Sequence, residues 1–292
     1  MQGYLKFIIK IRLGNLFYIR REMNILNILL YIYIFITGIT FGSFFTLAVY
    51  RIPRREDITH TRSYCPKCHH KLSFWDMIPL FSYIFLGGKC RYCKEKIRPR
   101  YFILELCSGI VFVLFALSIR FNIFNLTHSI ILYFIFGLLY IAGLFIISGI
   151  DKEKINVQNE VILYLMFVEA IYIIYLCIVD SASIYRYVIY LIILAILTMA
   201  NTIYYKRKVK NNYTLECLIL LNLMLIFTYE CCTILTVTFT LLAIAIKLIA
   251  DKINKKRTKY INKENSKIPI GFYLCVTNII TLIITNFIVF YR

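Results

Sequence analysis

Uninterrupted apolar runs of about 20 residues leave a chain few folds. A helix of that length crosses a ~30 Å hydrocarbon core and satisfies its own backbone there. Such runs lie near residues 26–49, 102–119, 129–150, 160–179, 187–205, 214–229, 231–250 and 269–290. Hydrophobic residues make up 60% of the 292 and charged ones 17%, whereas a soluble domain carries about 45–50% and about 25%. Too little polar surface remains to cover a water-soluble particle. The expected fold class is an all-α polytopic membrane protein with about eight transmembrane helices.

The net charge of +19 suggests at first a nucleic-acid partner, but its distribution argues otherwise. Alternate loops, 51–100, 151–159, 206–212 and 251–268, hold twenty-five Lys and Arg residues, and the opposite set with the C-terminus holds three. Cytoplasmic loops retain positive charge, so the four basic loops are expected in the cytoplasm. The surplus is then topology beside a lipid bilayer, and no nucleic acid is implied. Residues 1–22, with Lys6, Lys10, Arg12, Arg20 and Arg21, form a basic N-terminal extension that the alternation puts outside. The stretch reads as an interfacial amphipathic piece or an upstream start, and not as a cleaved signal peptide.

Ten cysteines divide unequally. Cys107, Cys177, Cys217, Cys231, Cys232 and Cys275 lie in apolar segments and read as small buried hydrophobes. The other four form Cys65-Pro-Lys-Cys68 and Cys90-Arg-Tyr-Cys93 in the largest basic loop. Two C-x-x-C pairs at that separation indicate a tetrahedral tetrathiolate Zn2+ site. Disulfides and free thiols are the alternatives, and disulfides are the weaker one in a reducing compartment. Lys67, Lys71, Lys89 and Arg91 are placed to offset the thiolate charge. Four thiolates leave no open position, so the zinc is structural and His60, His69 and His70 are not needed as ligands.

The same stretch carries a family resemblance. Gly42-Ser43-Phe44 runs through Tyr50-Arg51-Ile52-Pro53 into Ser63-Tyr64-Cys65. Then come Trp75-Asp76-Met77-Ile78-Pro79-Leu80-Phe81-Ser82-Tyr83, Gly88-Lys89-Cys90-Arg91-Tyr92-Cys93, and Arg100-Tyr101 with Glu105. These motifs closely resemble the N-terminal domain of the type IV prepilin peptidases, membrane aspartic proteases that process pilins and pseudopilins. Ile268-Pro269-Ile270-Gly271-Phe272 is similar to a C-terminal segment of that family.

The resemblance implies cleavage of a basic leader from a prepilin at the cytosolic membrane face. It also implies N-methylation of the new N-terminus with S-adenosylmethionine in many members, and two catalytic aspartates at cytosolic span ends. Asp151, where 129–150 meets a short polar loop, resembles the first aspartate. The second belongs to a Gly-x-Gly-Asp motif, but the junction reads Asn211-Asn212-Tyr213-Thr214-Leu215-Glu216-Cys217. In register, Thr214 falls where that aspartate belongs, and a threonine cannot be the second acid. Glu216 is the only carboxylate near the junction and becomes the candidate partner of Asp151. Glu105, an ionisable residue inside a span, reads as a buried partner near the site.

The expected organisation is therefore the extension 1–22, an N-terminal peptidase-family domain over 23–119 that includes the zinc loop 51–100, and a transmembrane aspartic peptidase domain over 120–292. Two functions stay open: a prepilin peptidase with the altered pair Asp151 and Glu216, or an impaired homologue that binds prepilins as a membrane module. A transporter is disfavoured for want of intramembrane charges and helix breaks.

Overall fold

The computed structural model describes the backbone of residues 2–58, 62–65, 67–179, 184–208, 212–257 and 268–291. Side chains are described within these ranges from residue 25 onward, except 179, 184, 208 and 254–257. His60 and the side chains of 1–22 thus lie outside the described residues. Helix and no extended strand is found among the described residues. The helices are α1 (Gln2–Arg51), α2 (Phe81–Phe85), α3 (Arg100–Ser118), α4 (His128–Lys154), α5 (Asn159–Val179), α6 (Ile184–Lys208), α7 (Tyr213–Phe227), α8 (Glu230–Arg257) and α9 (Ile270–Tyr291). Seven of them are long and apolar enough to cross a membrane, and α7 is shorter. The eight apolar runs thus appear as eight helices, with the sixth reaching only Tyr213–Phe227.

Between apolar helices in lipid there is no hydrophobic drive, so close backbone approach and polar contacts must hold the bundle. Both are present. On α1, Gly38 and Gly42 stand one turn apart against Ser108 and Gly109 of α3. A Cβ on Gly38 would meet the Gly109 Cα at 2.8 Å, and one on Gly42 would meet the Glu105 Cα at 2.7 Å. The Ser108 hydroxyl donates to the Gly38 carbonyl at 2.7 Å. Across α8 and α9, Thr236 pairs with Thr281 and Thr240 with Thr277, each at 2.7 Å, and Asn278 Nδ2 donates to Thr236.

Helix α4 is the hub, packing on α1, α3, α5 and α9. Its stripe of Tyr140, Leu144, Ile147 and Asp151 is fully buried. At its C-terminal end it is tied to the N-terminal helices, since Arg100 pairs with Glu153 and Lys154 donates to the Pro53 carbonyl.

A replacement at Gly38 tests the close approach. Alanine in a helix gains about 1 kcal/mol of propensity over glycine. Overpacking typically costs ~1–3 kcal/mol, and the obstacle here is backbone, which cannot rotate away. Gly38→Val is expected to lower stability in a reversible detergent-unfolding titration by about 2 kcal/mol or more. Ile36→Val, at an outward-facing position of the same helix, should change it little.

Candidate active site and metal centre

The loop between α1 and α3 folds around its cysteines. All four Sγ atoms lie within 4.8 Å of one another, and Cys65 and Cys93 stand 3.8 Å apart. A tetrahedral zinc with Zn–S bonds of about 2.3 Å separates its sulfurs by about 3.8 Å, so this donor set fits the ion. The two knuckles repeat one backbone design. Cys65 N–H donates to the His70 carbonyl and Cys90 N–H to that of Glu95, while His69 and Lys94 donate back to Cys65 and Cys90. His69 and Lys94, each just after a knuckle, take positive φ of 57° and 59°. One isolated antiparallel bridge closes each knuckle, Tyr64 with Lys71 and Lys89 with Lys96.

Burial pushes the Cys65 thiol up, but hydrogen bonds chiefly from the backbone of Cys68 and Lys67 outweigh it and lower it to about 7. Cys93 receives the Glu95 backbone, yet burial and the three neighbouring sulfurs push it up to about 11. As thiolates, four sulfurs this close would repel one another unless a cation lay between them. Neither described histidine of the loop joins the cluster: His69 stacks on Tyr64 and His70 contacts the Tyr92 ring. Arg91 is engaged with Asp76 at 2.6 Å.

The carboxylates gather where α4 ends and α7 and α9 begin. Asp151 is fully buried. Its Oδ2 accepts the Tyr213 hydroxyl at 2.9 Å and the Phe272 backbone N–H at 2.8 Å. The Gly271 N–H in turn donates to the Tyr213 oxygen at 3.1 Å. Asp151 Oδ1 is buried with no hydrogen-bond partner among the described residues. Glu216, also fully buried, follows Tyr213 by one turn of α7 and accepts the Val157 backbone N–H at 3.3 Å. Val157 and Asp151 both line Gly271, where a Cβ would come within 3.1 Å of Asp151 Oδ2 and 3.4 Å of the Val157 side chain. Cys217 lies within electrostatic reach of both acids. The positive ends of α7 and α9 face this cradle, which favours negative charge there.

The structure thus brings Asp151 and Glu216 to one cradle. Thr214 stands outside it, exposed, with its hydroxyl donating to Asn212 Oδ1 at 2.6 Å. Glu105 belongs elsewhere: its Oε2 accepts the Leu80 N–H at 2.8 Å, and it anchors the zinc loop, not Asp151. Among the lone cysteines, Cys217, Cys232 and Cys275 are buried as expected, but Cys107, Cys177 and Cys231 face outward.

Several participants were not singled out from sequence. Tyr213, Gly271 and Phe272 acquire their roles through contacts with Asp151 across long separations, although the Gly271-Phe272 motif was visible. Away from these contacts, Glu169 of α5 is a lone acid within an apolar run. It is 1% exposed, neither carboxylate oxygen has a hydrogen-bond partner among the described residues, and it interacts electrostatically with Tyr140.

Together these features define a polytopic helical membrane protein with a four-cysteine cluster able to hold a metal in the loop between α1 and α3, and two buried carboxylates near its helix ends. Comparison then gives the relationship. Residues 36–119 match the family model of the Bacterial Peptidase A24 N-terminal domain. The chain is 45% identical over 84 residues to a prepilin leader peptidase/N-methyltransferase of Vibrio cholerae, covering 26% of this chain and 33% of that one. It is 31% identical over 134 residues to the protein of that name from Bacillus subtilis, covering 46% and 50%. A Klebsiella pneumoniae relative of the same name is 36% identical over 88 residues, covering 28% and 39%. The resemblance read from the motifs is borne out over this N-terminal domain, and the chain spans a third to a half of the length of these relatives. No solved structure matches the chain.

Proposed function

We propose that this chain is a prepilin leader peptidase in which Asp151 and Glu216 form the catalytic pair. The observation that carries this reading is the shared cradle. Buried Asp151 of α4 and buried Glu216 of α7 are linked through Val157 and Gly271 at helix ends, in a chain whose N-terminal domain is similar to that of prepilin peptidases. Peptide hydrolysis by paired carboxylates needs one to take a proton from water and the other to protonate the leaving amine, with a single proton shared at the start. Asp151 Oδ2 is fixed by Tyr213 and Phe272, which leaves Oδ1 for the water or the shared proton. Glu216 supplies the second carboxylate in place of the aspartate of Gly-x-Gly-Asp. Thr214 takes no part.

The four basic loops face the cytoplasm, and the substrate is a membrane-anchored prepilin or pseudopilin whose leader is basic. Cys65, Cys68, Cys90 and Cys93 hold one structural zinc. Methylation of the new N-terminus, with S-adenosylmethionine as donor, belongs to the same reading. Co-expression with a prepilin, followed by mass spectrometry of the pilin, tests both halves. Loss of the leader supports the peptidase, and an added methyl group supports the transferase. An uncut prepilin that still co-purifies with the chain would favour the binding-module reading instead.

A further inference from the structure

Between the two zinc knuckles the loop exposes a run of large apolar side chains. Phe74 is 73% exposed, Trp75 69% and Phe85 83%, and Met77, Phe81 and Ile84 are also outward. Scattered apolar residues need no explanation, but a contiguous patch of this size marks a contact surface.

Leu80, in the middle of the run, donates its backbone N–H to Glu105. Glu105 lies five residues inside α3, about 7.5 Å along its axis from Arg100. The Tyr83 ring lies 5.3 Å from that of Phe102, in the first turn of α3. Helix α2 is therefore held alongside the first turns of α3, which is long and apolar enough to cross a membrane, at the end where headgroups would meet acyl chains. On the other side, Asp76 ties the run to the second knuckle through Arg91 and Tyr92. There Lys89, Arg91, Lys94 and Lys96 are exposed. Exposed aromatic and apolar side chains next to exposed cations is the composition of an interfacial membrane anchor.

We infer that residues 74–85 insert into the leaflet on the loop side of the membrane, with the neighbouring Lys and Arg side chains on lipid phosphates. The zinc module is thereby pinned to the bilayer surface and cannot swing free in water. The contact is independent of the peptidase reading, since it follows from depth and exposure alone.

Trp75 is the only tryptophan in the chain, so its fluorescence reports the patch directly. The protein is reconstituted in phosphatidylcholine vesicles containing phosphatidylglycerol, with bromine on the upper acyl carbons of part of the lipid. Trp75→Phe provides the blank, and Phe81→Trp in that background samples α2. Both tryptophans should emit to the blue of free tryptophan, lose most of their emission to brominated lipid, and resist aqueous iodide. Emission quenched by iodide and not by brominated lipid overturns the inference. So does emission insensitive to both, which would mean that protein covers the patch.

Discussion

Replacing Cys90 with serine should release the metal and unfold the loop between α1 and α3, while the helical content of the spans stays nearly unchanged. Metal binding to a structural site of this kind is folding free energy, with apparent values of about 10–16 kcal/mol in small zinc modules. The loop has few buried apolar side chains of its own to hold it. Among the described residues between 62 and 99, only Leu80 and the cysteines Cys65 and Cys90 are buried as whole residues, with the Asp76 carboxylate covered beside Arg91. Wild-type protein should contain one zinc per chain by elemental analysis and resist limited proteolysis between Arg51 and Arg100. The Cys90→Ser protein should contain none and be cut there, with far-ultraviolet circular dichroism close to wild type. Wild-type protein without zinc, or a Cys90→Ser loop as resistant as the parent, contradicts the metal assignment.

How much of this was legible depends on whether a feature is local. The spans were, because about 20 apolar residues in a row admit few other outcomes in a membrane protein. The run 102–119 emerges as Arg100–Ser118 and the run 269–290 as Ile270–Tyr291. The thiol cluster was legible too, since each knuckle is a four-residue motif and only the meeting of the two is long-range. The place of Asp151 at the end of a span was legible as well, and it stands in the last turn of α4.

Its surroundings could not. Tyr213 and Phe272 reach Asp151 across 62 and 121 residues, and no periodicity in the chain records such a meeting. The same limit applies to Glu216 and Thr214. Two residues apart on a helix they differ by about 200° in direction, so a register argument places both at the junction, and only packing turns one inward. Glu169 shows the converse failure. One acid leaves the hydropathy of a long apolar run almost unchanged, so its isolation inside the bundle becomes visible only when its neighbours are known. The Gly38–Gly109 approach is likewise a tertiary fact, because a glycine in a span can as readily face lipid as a partner.

The second large effect is on the chemistry. Asp151→Asn keeps the shape of the side chain and its bonds from Tyr213 and Phe272, but it removes the negative charge and the ability to accept a proton. A positioned acid–base group typically contributes ~10²–10⁴-fold, and cleavage should fall by at least that much. Under the proposed pairing the two carboxylates would work as one unit, so Glu216→Gln should act similarly. Gly271→Ala should be milder. Its Cβ would press on Asp151 Oδ2, and a displacement of ~1 Å can cost about a hundredfold. Thr214→Asp should change little, because the side chain at that position is turned away from the cradle.

The most direct measurement is the single-turnover rate of leader removal from one prepilin, by purified wild type and by Asp151→Asn, Glu216→Gln and Thr214→Asp in the same vesicles. Metal content and thermal unfolding are checked for each, so that misfolding is not mistaken for lost chemistry. The expected result is cleavage by wild type, cleavage by Thr214→Asp at a similar rate, and loss of at least about a hundredfold in each of the other two. Unchanged cleavage by folded Asp151→Asn or Glu216→Gln, or a large gain from Thr214→Asp, contradicts the pairing of Asp151 with Glu216.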